Sequence, residues 1–178
     1  NPGDRVAYAG HLGSYAQYSI VKAFQLIPLP VDIRFEQGAA FPLQGMTAHY
    51  LTQEFFKIKP GDTVLVHAAA GGVGLHLVQR LKHMNARVIG TVSTPEKAKI
   101  AREAGADEII LYTREDFVER TLALTQGRGA DYIIDGVGKD TFTKDLEAVR
   151  VRGHVCLFGS ASGQSEALVP NALMPRSI

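Results

Sequence analysis

A strand, a glycine-rich turn and a helix are predicted in direct succession by the stretch Thr63–Gly74, TVLVHAAAGGVG, and the residues after it. The β-branched and aliphatic run Thr63–Val66 has the composition of a buried strand. Beyond the glycines, Leu77, Val78 and Leu81 have the spacing of one helical face. No other stretch restricts the fold as strongly, because a buried strand that leads into a helix is the building unit of layered α/β proteins.

The glycine turn between this strand and this helix suits a phosphate group. Unpaired N–H groups and the positive dipole end at a helix N-terminus attract anions, and glycine lets a pyrophosphate approach the backbone closely. The segment Ala69–Gly74, AAGGVG, fits the dinucleotide fingerprint G-x-G-x-x-G with alanine in the first place. A flexible loop is the alternative, but the predicted strand before it and helix after it favour dinucleotide binding.

Further apolar segments predict strands that alternate with helices along the chain. The five predicted strands are 63–66, 87–92, 108–112, 131–135 and 154–158. Strands that are apolar throughout and separated by helices form parallel sheets covered on both faces. We therefore expect an α/β fold with a doubly wound parallel sheet (Rossmann), whose ligands bind at the carboxyl ends of the strands. Ahead of the sheet, helices are expected at 36–42 and 43–56.

Residues 1–30 have β character. Strands are predicted at 4–8 and, from alternating side chains, at 14–21, and Pro28 and Pro30 are expected to stop regular pairing before the next segment. These strands have too few partners to bury themselves. We therefore interpret this segment as the remnant of a β-rich domain, and residues 31–178 as the nucleotide-binding domain.

Composition excludes several functional classes. The chain of 178 residues is 46% hydrophobic, which is typical of a globular protein rather than a disordered one. Its formal net charge of +1 argues against nucleic acid as a principal partner. A single cysteine, Cys156, excludes a disulfide within the chain and favours a reducing, cytoplasmic compartment. No apolar run is long enough for a membrane span.

The residues after the second sheet strand favour NADP(H) over NAD(H). NAD sites usually carry an acidic residue about 20 positions beyond the glycine turn, where it holds the ribose hydroxyls. Here the strand is followed by Ser93 and Thr94, which can donate to a phosphate, and Lys97 comes within reach of the same spot. The alternative is that Lys97 is an ordinary solvated lysine of a helix.

Six stretches that span nearly the whole chain carry a family resemblance. They are 3–6, 13–16, 42–48, 59–74, 89–93 and 158–163. With these residues the chain resembles the quinone oxidoreductase (zeta-crystallin-like) branch of the zinc-free medium-chain dehydrogenase/reductase superfamily, and the form A-x-x-G-G-V-G is characteristic of that branch. The resemblance implies a two-domain enzyme whose GroES-like catalytic domain is formed by both chain ends. This chain would then be a fragment: the last piece of the first catalytic half, followed by the nucleotide domain without its last strand.

The same resemblance implies a set of cofactor contacts. Carried over by position, they are Thr47, Gly71, Gly72, Val73, Gly74, Ser93, Lys97, Tyr112, Gly138, Leu157, Phe158, Gly159 and Ser160. It places Lys97 and Tyr112 beside the 2′-phosphate, which strengthens the expectation of NADPH. Asp107 and Arg114 nearby are interpreted as surface residues.

The resemblance also implies the chemistry. Zinc-dependent relatives carry Cys-Gly where this chain has Gln44-Gly45, and the six histidines have no ligand spacing, so no metal is expected. His67 is interpreted as a packing or hydrogen-bonded residue. The implied activity is metal-free reduction of a small-molecule quinone or enone by NADPH, in a homodimer or homotetramer. An enoyl or alkenal reductase and a non-catalytic NADPH-binding structural protein are the alternatives, and the catalytic residues stay unknown.

Overall fold

The computed structural model describes residues 1–178 and contains seven strands and five α-helices. In chain order these are β1 (Val6–Ala7), β2 (Ile27–Pro28), α1 (Phe35–Tyr50), β3 (Thr63–Val66), α2 (Gly72–His83), β4 (Arg87–Val92), α3 (Pro95–Glu103), β5 (Glu108–Leu111), α4 (Phe117–Leu124), β6 (Ala130–Asp135), α5 (Phe142–Ala148) and β7 (Val149–Leu157). Short 3-10 segments lie at Ala23–Gln25 and Pro170–Arg176. None of the helices combines the length and the apolar character needed to cross a membrane.

Five strands form one parallel sheet in the order β5-β4-β3-β6-β7. The chain moves outward from β3 to β5, then crosses back to β6 and β7 on the other side of β3. This topology confirms the predicted α/β, doubly wound parallel sheet. The strand order reverses between β3 and β6, and ligands of such sheets bind in the crevice at that point.

Each face of the sheet is covered by a hydrophobic core. Along β3 the side chains alternate, so that Val64 and Val66 join a core with Leu77 of α2, whereas Leu65 joins a second core with Phe117 of α4. All four residues of β3 are buried. Packing on both faces therefore fixes the end of β3, from which the glycine turn departs.

The amino-terminal residues depart from the prediction. Residues 14–21 form no strand, and Tyr15, Tyr18 and Ile20 are exposed. An alternating pattern forms a strand only where a partner strand can satisfy its backbone groups, and no strand pairs with this segment. β1 instead pairs with β2, whose last residue is Pro28, so regular pairing ends between Pro28 and Pro30 as expected, although Pro28 itself belongs to the pair. Proline is tolerated there because the pair has two open edges. The domain division at residue 30 and the missing last strand stay predictions.

A single helix, α1, replaces the two helices predicted at 36–42 and 43–56. Proline inside a helix removes one N–H and crowds the preceding turn, which is why a break was expected. The helix continues through Pro42 because this residue belongs to a buried stripe that packs against α2. The stripe consists of Gly38, Pro42, Gly45 and Ala48. A π-helical turn, Leu51–Phe55, follows.

At the edge where the strands begin, the buried carboxylate of Asp131 connects β3, β6 and β7. It accepts two hydrogen bonds from Arg128, at 2.7 and 2.9 Å, one from Arg150 Nε at 2.5 Å, and one from the N–H of Thr63 at 2.8 Å. Burial disfavours the charged form, but these donors outweigh burial and lower the pKa of Asp131 to about 2. The carboxylate thus links neighbouring strands at their amino ends, on the side of the sheet opposite the predicted ligand crevice.

Candidate nucleotide-binding site

A cleft of about 710 Å³ opens at the carboxyl ends of the parallel strands. Its walls come from the segments that follow β3, β4, β5, β6 and β7, so every sheet strand contributes to it. The volume lies in the range of small-molecule and cofactor sites. Of the predicted cofactor contacts, Gly71, Ser93, Lys97 and Tyr112 line this cleft.

The glycine turn at one wall of the cleft presents free backbone N–H groups. The N–H of Gly71 closes a tight turn by donating to the carbonyl of Ala68 at 2.8 Å, and the first helical bond runs from Leu75 N–H to Gly71 O at 2.8 Å. The N–H groups of Gly72, Val73 and Gly74 therefore have no backbone acceptor. Three N–H groups at the positive end of α2 form the arrangement that binds a pyrophosphate.

Close contacts surround two of the glycines, and at Gly74 they require glycine. A Cβ on Gly74 would overlap the carbonyl oxygen of Ala68 and lie 2.9 Å from the backbone of Ala69, so only glycine lets α2 pack this closely on the turn. A Cβ on Gly72 would overlap the side chain of Gln44. Gln44 of α1 therefore covers the first turn of α2, a contact that the sequence did not reveal.

The end of β4 forms the cationic wall of the cleft. Lys97 Nζ donates to Ser93 Oγ at 3.2 Å, and Thr113 Oγ1 donates to the carbonyl of Ser93 at 2.9 Å. Tyr112 and Arg114 line the same wall, and the Arg114 guanidinium makes no ion pair or hydrogen bond. Arg114 is exposed, as predicted for a surface residue, and it lies on the surface of the cleft. No carboxylate follows β4 directly, and two cations face the cleft here.

The loops after β6 and β7 form the opposite wall. Asp135, fully buried, accepts the N–H groups of Val137 at 2.6 Å and Gly138 at 3.2 Å, and the hydroxyl of Thr141 at 2.8 Å. Gly138 has a φ of +92°, a conformation that glycine adopts without strain. Ser162 Oγ donates to the carbonyl of Val137 at 2.9 Å. These bonds join the two loops into one surface.

The remaining predicted contacts lie outside the cleft lining. Gly72, Val73, Gly74 and Gly138 lie on its adjoining turns, whereas Thr47, Leu157, Phe158, Gly159 and Ser160 do not line it. The hydroxyl of Thr47 donates to the carbonyl of Leu43 within α1 at 2.8 Å. The ring of Phe158 packs on Gly136, and Ala161 and Ser162 reach the cleft instead. The roles of all these residues in cofactor binding stay predictions.

Comparison with known proteins identifies the family. A family model for zinc-binding dehydrogenases matches residues 72–178. The chain belongs to the zinc-binding dehydrogenase family. Proteins similar to this chain include quinone oxidoreductases, which confirms the predicted resemblance to that branch.

Three proteins illustrate what this chain is similar to. The quinone oxidoreductase of Pseudomonas aeruginosa is 47% identical over 90% of this chain and 50% of its own length. The 2-haloacrylate reductase of a Burkholderia species is 44% identical over 88% of this chain and 48% of its own length. The Escherichia coli quinone oxidoreductase complexed with NADPH superposes with a TM-score of 0.93 at 41% identity, covering 98% of this chain and 54% of that one. The chain spans about half the length of the relatives it matches.

A buried polar network lies beneath the cleft. His67 Nε2 lies 2.8 Å from Asp145 Oδ1, and His67 Nδ1 lies 2.9 Å from Thr91 Oγ1. The ring also packs edge-on against Phe117 at 4.8 Å. This confirms the prediction that His67 is a packing and hydrogen-bonded residue. Burial, opposed by the hydrogen bond to His67 and reinforced by the neighbouring carboxylate of Asp135, raises the pKa of Asp145 to about 7.

Several residues of this site were missed by the sequence reasoning. They are Thr91, Asp116, Phe117, Thr141, Lys144 and Asp145. The available signal was their position, because Thr91 lies near the end of a predicted strand and Thr141 follows the end of another. Nothing in the sequence paired Asp145 with His67, since the two lie 78 positions apart.

No group of three or more His, Cys, Asp or Glu side chains is arranged so that it could hold a metal ion. The family name refers to zinc, but the histidine that lines this cleft is already bonded to Thr91 and Asp145. The one cysteine, Cys156, is buried in the sheet. Metal-independent activity of the whole protein stays a prediction.

Proposed function

We propose that the protein is an NADPH-dependent oxidoreductase that reduces a quinone, and that this chain supplies its cofactor site. The observation that carries the proposal is a cleft that is lined by the cationic, carboxylate-free end of β4 and adjoins three free N–H groups at the start of α2. The similarity to quinone oxidoreductases, one of them complexed with NADPH, supports the same assignment.

The residues of this chain fit NADPH in two places. The N–H groups of Gly72, Val73 and Gly74 would receive the pyrophosphate, where a glycine turn leaves room for it. Lys97, Ser93 and Tyr112 would hold the 2′-phosphate that distinguishes NADPH from NADH. When bound, the nicotinamide supplies the hydride, and the protein's task is to bind, orient and shield the reactants.

A second candidate function is reduction of an α,β-unsaturated carbonyl compound. It is favoured by the 44% identity to a 2-haloacrylate reductase, because a 2-haloacrylate has an activated carbon–carbon double bond. The same cofactor site serves both reactions. A non-catalytic NADPH-binding protein is the third possibility, in which the cofactor binds but is not oxidised. The catalytic residues stay unassigned, and a homodimer or homotetramer is proposed for the whole protein.

The cofactor assignment is tested by replacing Lys97 with alanine. We expect a loss of about 10- to 100-fold in NADPH affinity, because a charge-assisted hydrogen bond to phosphate contributes roughly 1.5–3 kcal/mol. The affinity for NADH should stay within about twofold, since NADH lacks that phosphate. Lys99→Ala is the matched control, because Lys99 is an exposed lysine on the same helix with only a long ion pair, 3.9 Å, to Glu103. Equal losses for NADPH and NADH would remove Lys97 from the phosphate site.

The acceptor is tested by measuring NADPH oxidation with the purified protein. Benzoquinones and naphthoquinones, enals, and 2-haloacrylate are supplied at matched concentrations. A kcat/KM at least about tenfold higher for quinones supports the leading proposal, and the reverse order supports the second candidate. If the protein binds NADPH tightly but none of these acceptors is reduced, the result supports the non-catalytic NADPH-binding role.

A further inference from the structure

The hydroxyl group of Thr91 links the buried network under the cleft to the glycine turn, next to the bond that the Thr91 carbonyl accepts from the Ala69 N–H at 3.0 Å. Thr91 Oγ1 accepts the N–H of Ala68 at 3.3 Å and lies 2.9 Å from His67 Nδ1. Ala68 is the first residue of the turn and has a φ of +51°, the left-handed conformation that costs a residue with a Cβ about 1 kcal/mol or more. Its carbonyl accepts the Gly71 N–H that closes the turn. The bond from the Ala68 N–H to Thr91 therefore helps to hold a strained residue on which the turn depends.

Hydrogen-bond requirements constrain how this network is arranged. When Asp145 is ionised, its Oδ1 atom accepts from His67 Nε2, so that nitrogen carries the proton of the neutral ring. In the neutral ring Nδ1 is then an acceptor, and the Thr91 hydroxyl donates to it while accepting from Ala68. The chain Asp145–His67–Thr91–Ala68 is thus continuous, and every member except Ala68 is buried.

Asp145 also carries an unexplained polar atom. Its Oδ2 atom is buried and has no hydrogen-bond partner, and the carboxylate of Asp135 on β6 is its neighbour. The other elements packed around the pair contribute few charges. These charges are Asp116, the residue that caps α4, and Lys144 of α5, which form an ion pair at 2.9 Å. From β4 only the uncharged Thr91 contacts the pair. A buried carboxylate with one unpaired oxygen next to a second carboxylate favours the protonated state.

We propose that His67 and Asp145 are positioning residues for the cofactor, which hold the glycine turn through Thr91, and that one proton on this pair sets how tightly NADPH binds. The proposal rests on the proposed function. With its proton the pair is neutral, whichever residue carries it, and without the proton it is a buried anion below the phosphates. NADPH is itself anionic, so its binding favours the protonated pair.

The sign of the pH dependence follows from this linkage. Binding of an anion raises the pKa of the pair, so NADPH binding takes up a proton, and affinity decreases as pH rises through the pKa. If NADPH raises that pKa by one, affinity falls about tenfold across the titration. Asp145→Asn keeps the acceptor for His67 Nε2 but cannot ionise. This variant should bind NADPH as tightly as the wild type at about pH 6 and remain tight at about pH 8.

The experiment measures NADPH affinity by fluorescence and proton uptake by calorimetry in buffers of different ionisation heat. The wild type should lose affinity between about pH 6 and pH 8 more steeply than Asp145→Asn. The 2′-phosphate titrates in both proteins, so its contribution cancels in the difference. Identical pH profiles, or equal proton uptake by the two proteins, would overturn the role of the proton.

The positioning role is tested separately at Thr91. Thr91→Val leaves the Ala68 N–H and His67 Nδ1 unpaired, and should weaken NADPH binding about tenfold, whereas Thr91→Ser should restore it. Thr125→Val is the matched control, because Thr125 is a buried threonine whose hydroxyl accepts the N–H of Gly129 at 2.9 Å, far from the turn. Equal affinities of Thr91→Val and Thr125→Val would overturn the inference. Failure of the wild type to bind NADPH at all would instead overturn the proposed function.

Discussion

The carboxylate of Asp131 offers a prediction whose size can be worked out from its contacts. It accepts four hydrogen bonds, three of them from two arginines, and only 5% of the residue is exposed. Its pKa is about 2 in the folded protein, against 3.8 for an ordinary aspartate. This difference corresponds to about 2 kcal/mol of folding free energy that the charged form contributes over the neutral form.

Replacing Asp131 with asparagine should therefore destabilise the protein by about 2 kcal/mol near neutral pH, which lowers Tm by about 4–8 °C for a chain of this length. Because the folded-state pKa is depressed, this stability is complete above about pH 4 and is lost as pH falls toward about 2. The variant lacks the carboxyl group, so its stability should fall less over that window. NADPH affinity should not change, since Asp131 lies at the opposite edge of the sheet.

Urea denaturation at a series of pH values measures both effects. Asp32→Asn is the control, because it makes the same chemical change at an exposed carboxylate. The reasoning is refuted if the two variants unfold at the same urea concentration near pH 7. It is also refuted if Asp131→Asn keeps the full acid dependence of the wild type.

Other expected outcomes concern the turn and the single thiol. Gly74→Ala should weaken NADPH binding more than about tenfold in titration calorimetry, because a Cβ there overlaps the Ala68 carbonyl and the turn must open; an unchanged affinity would contradict the contact. Cys156 is buried, and burial together with Asp135 raises its pKa to about 11, so iodoacetamide should label it only as the protein unfolds in urea; rapid labelling of the native protein would contradict this. Arg114→Ala should lower the affinity for NADPH about threefold more than the affinity for NADH, because this unpaired cation lies close enough to attract the 2′-phosphate. Equal losses of affinity for the two cofactors would exclude a role for Arg114 at the 2′-phosphate.

Short-range signals were sufficient for the sheet and for the turn at its centre. The strand at Thr63–Val66 and the glycines after it were found where expected. Each depends on neighbours within a few positions: β-branched residues suit a strand, and glycine suits a tight turn. Lys97 was likewise placed on the cleft by its position after β4.

Other features were decided by contacts between distant parts of the chain. Residues 14–21 have a strand pattern but no partner strand, and α1 continues through Pro42 because a buried stripe packs on α2. A local pattern carries no information on either point, since both depend on what the fold brings alongside.

The sequence by itself determined that this chain has a glycine turn between a buried strand and a helix, because strand, turn and helix preferences act over a few residues. Only the tertiary structure decided how that turn is held. His67 was recognised as a packing residue, but its partner Asp145 lies 78 positions away on another helix. His67 and Asp145 are buried together below Ala68, which has a left-handed backbone conformation. This pair supports the turn and adds a titratable proton, and no local sequence pattern predicts either.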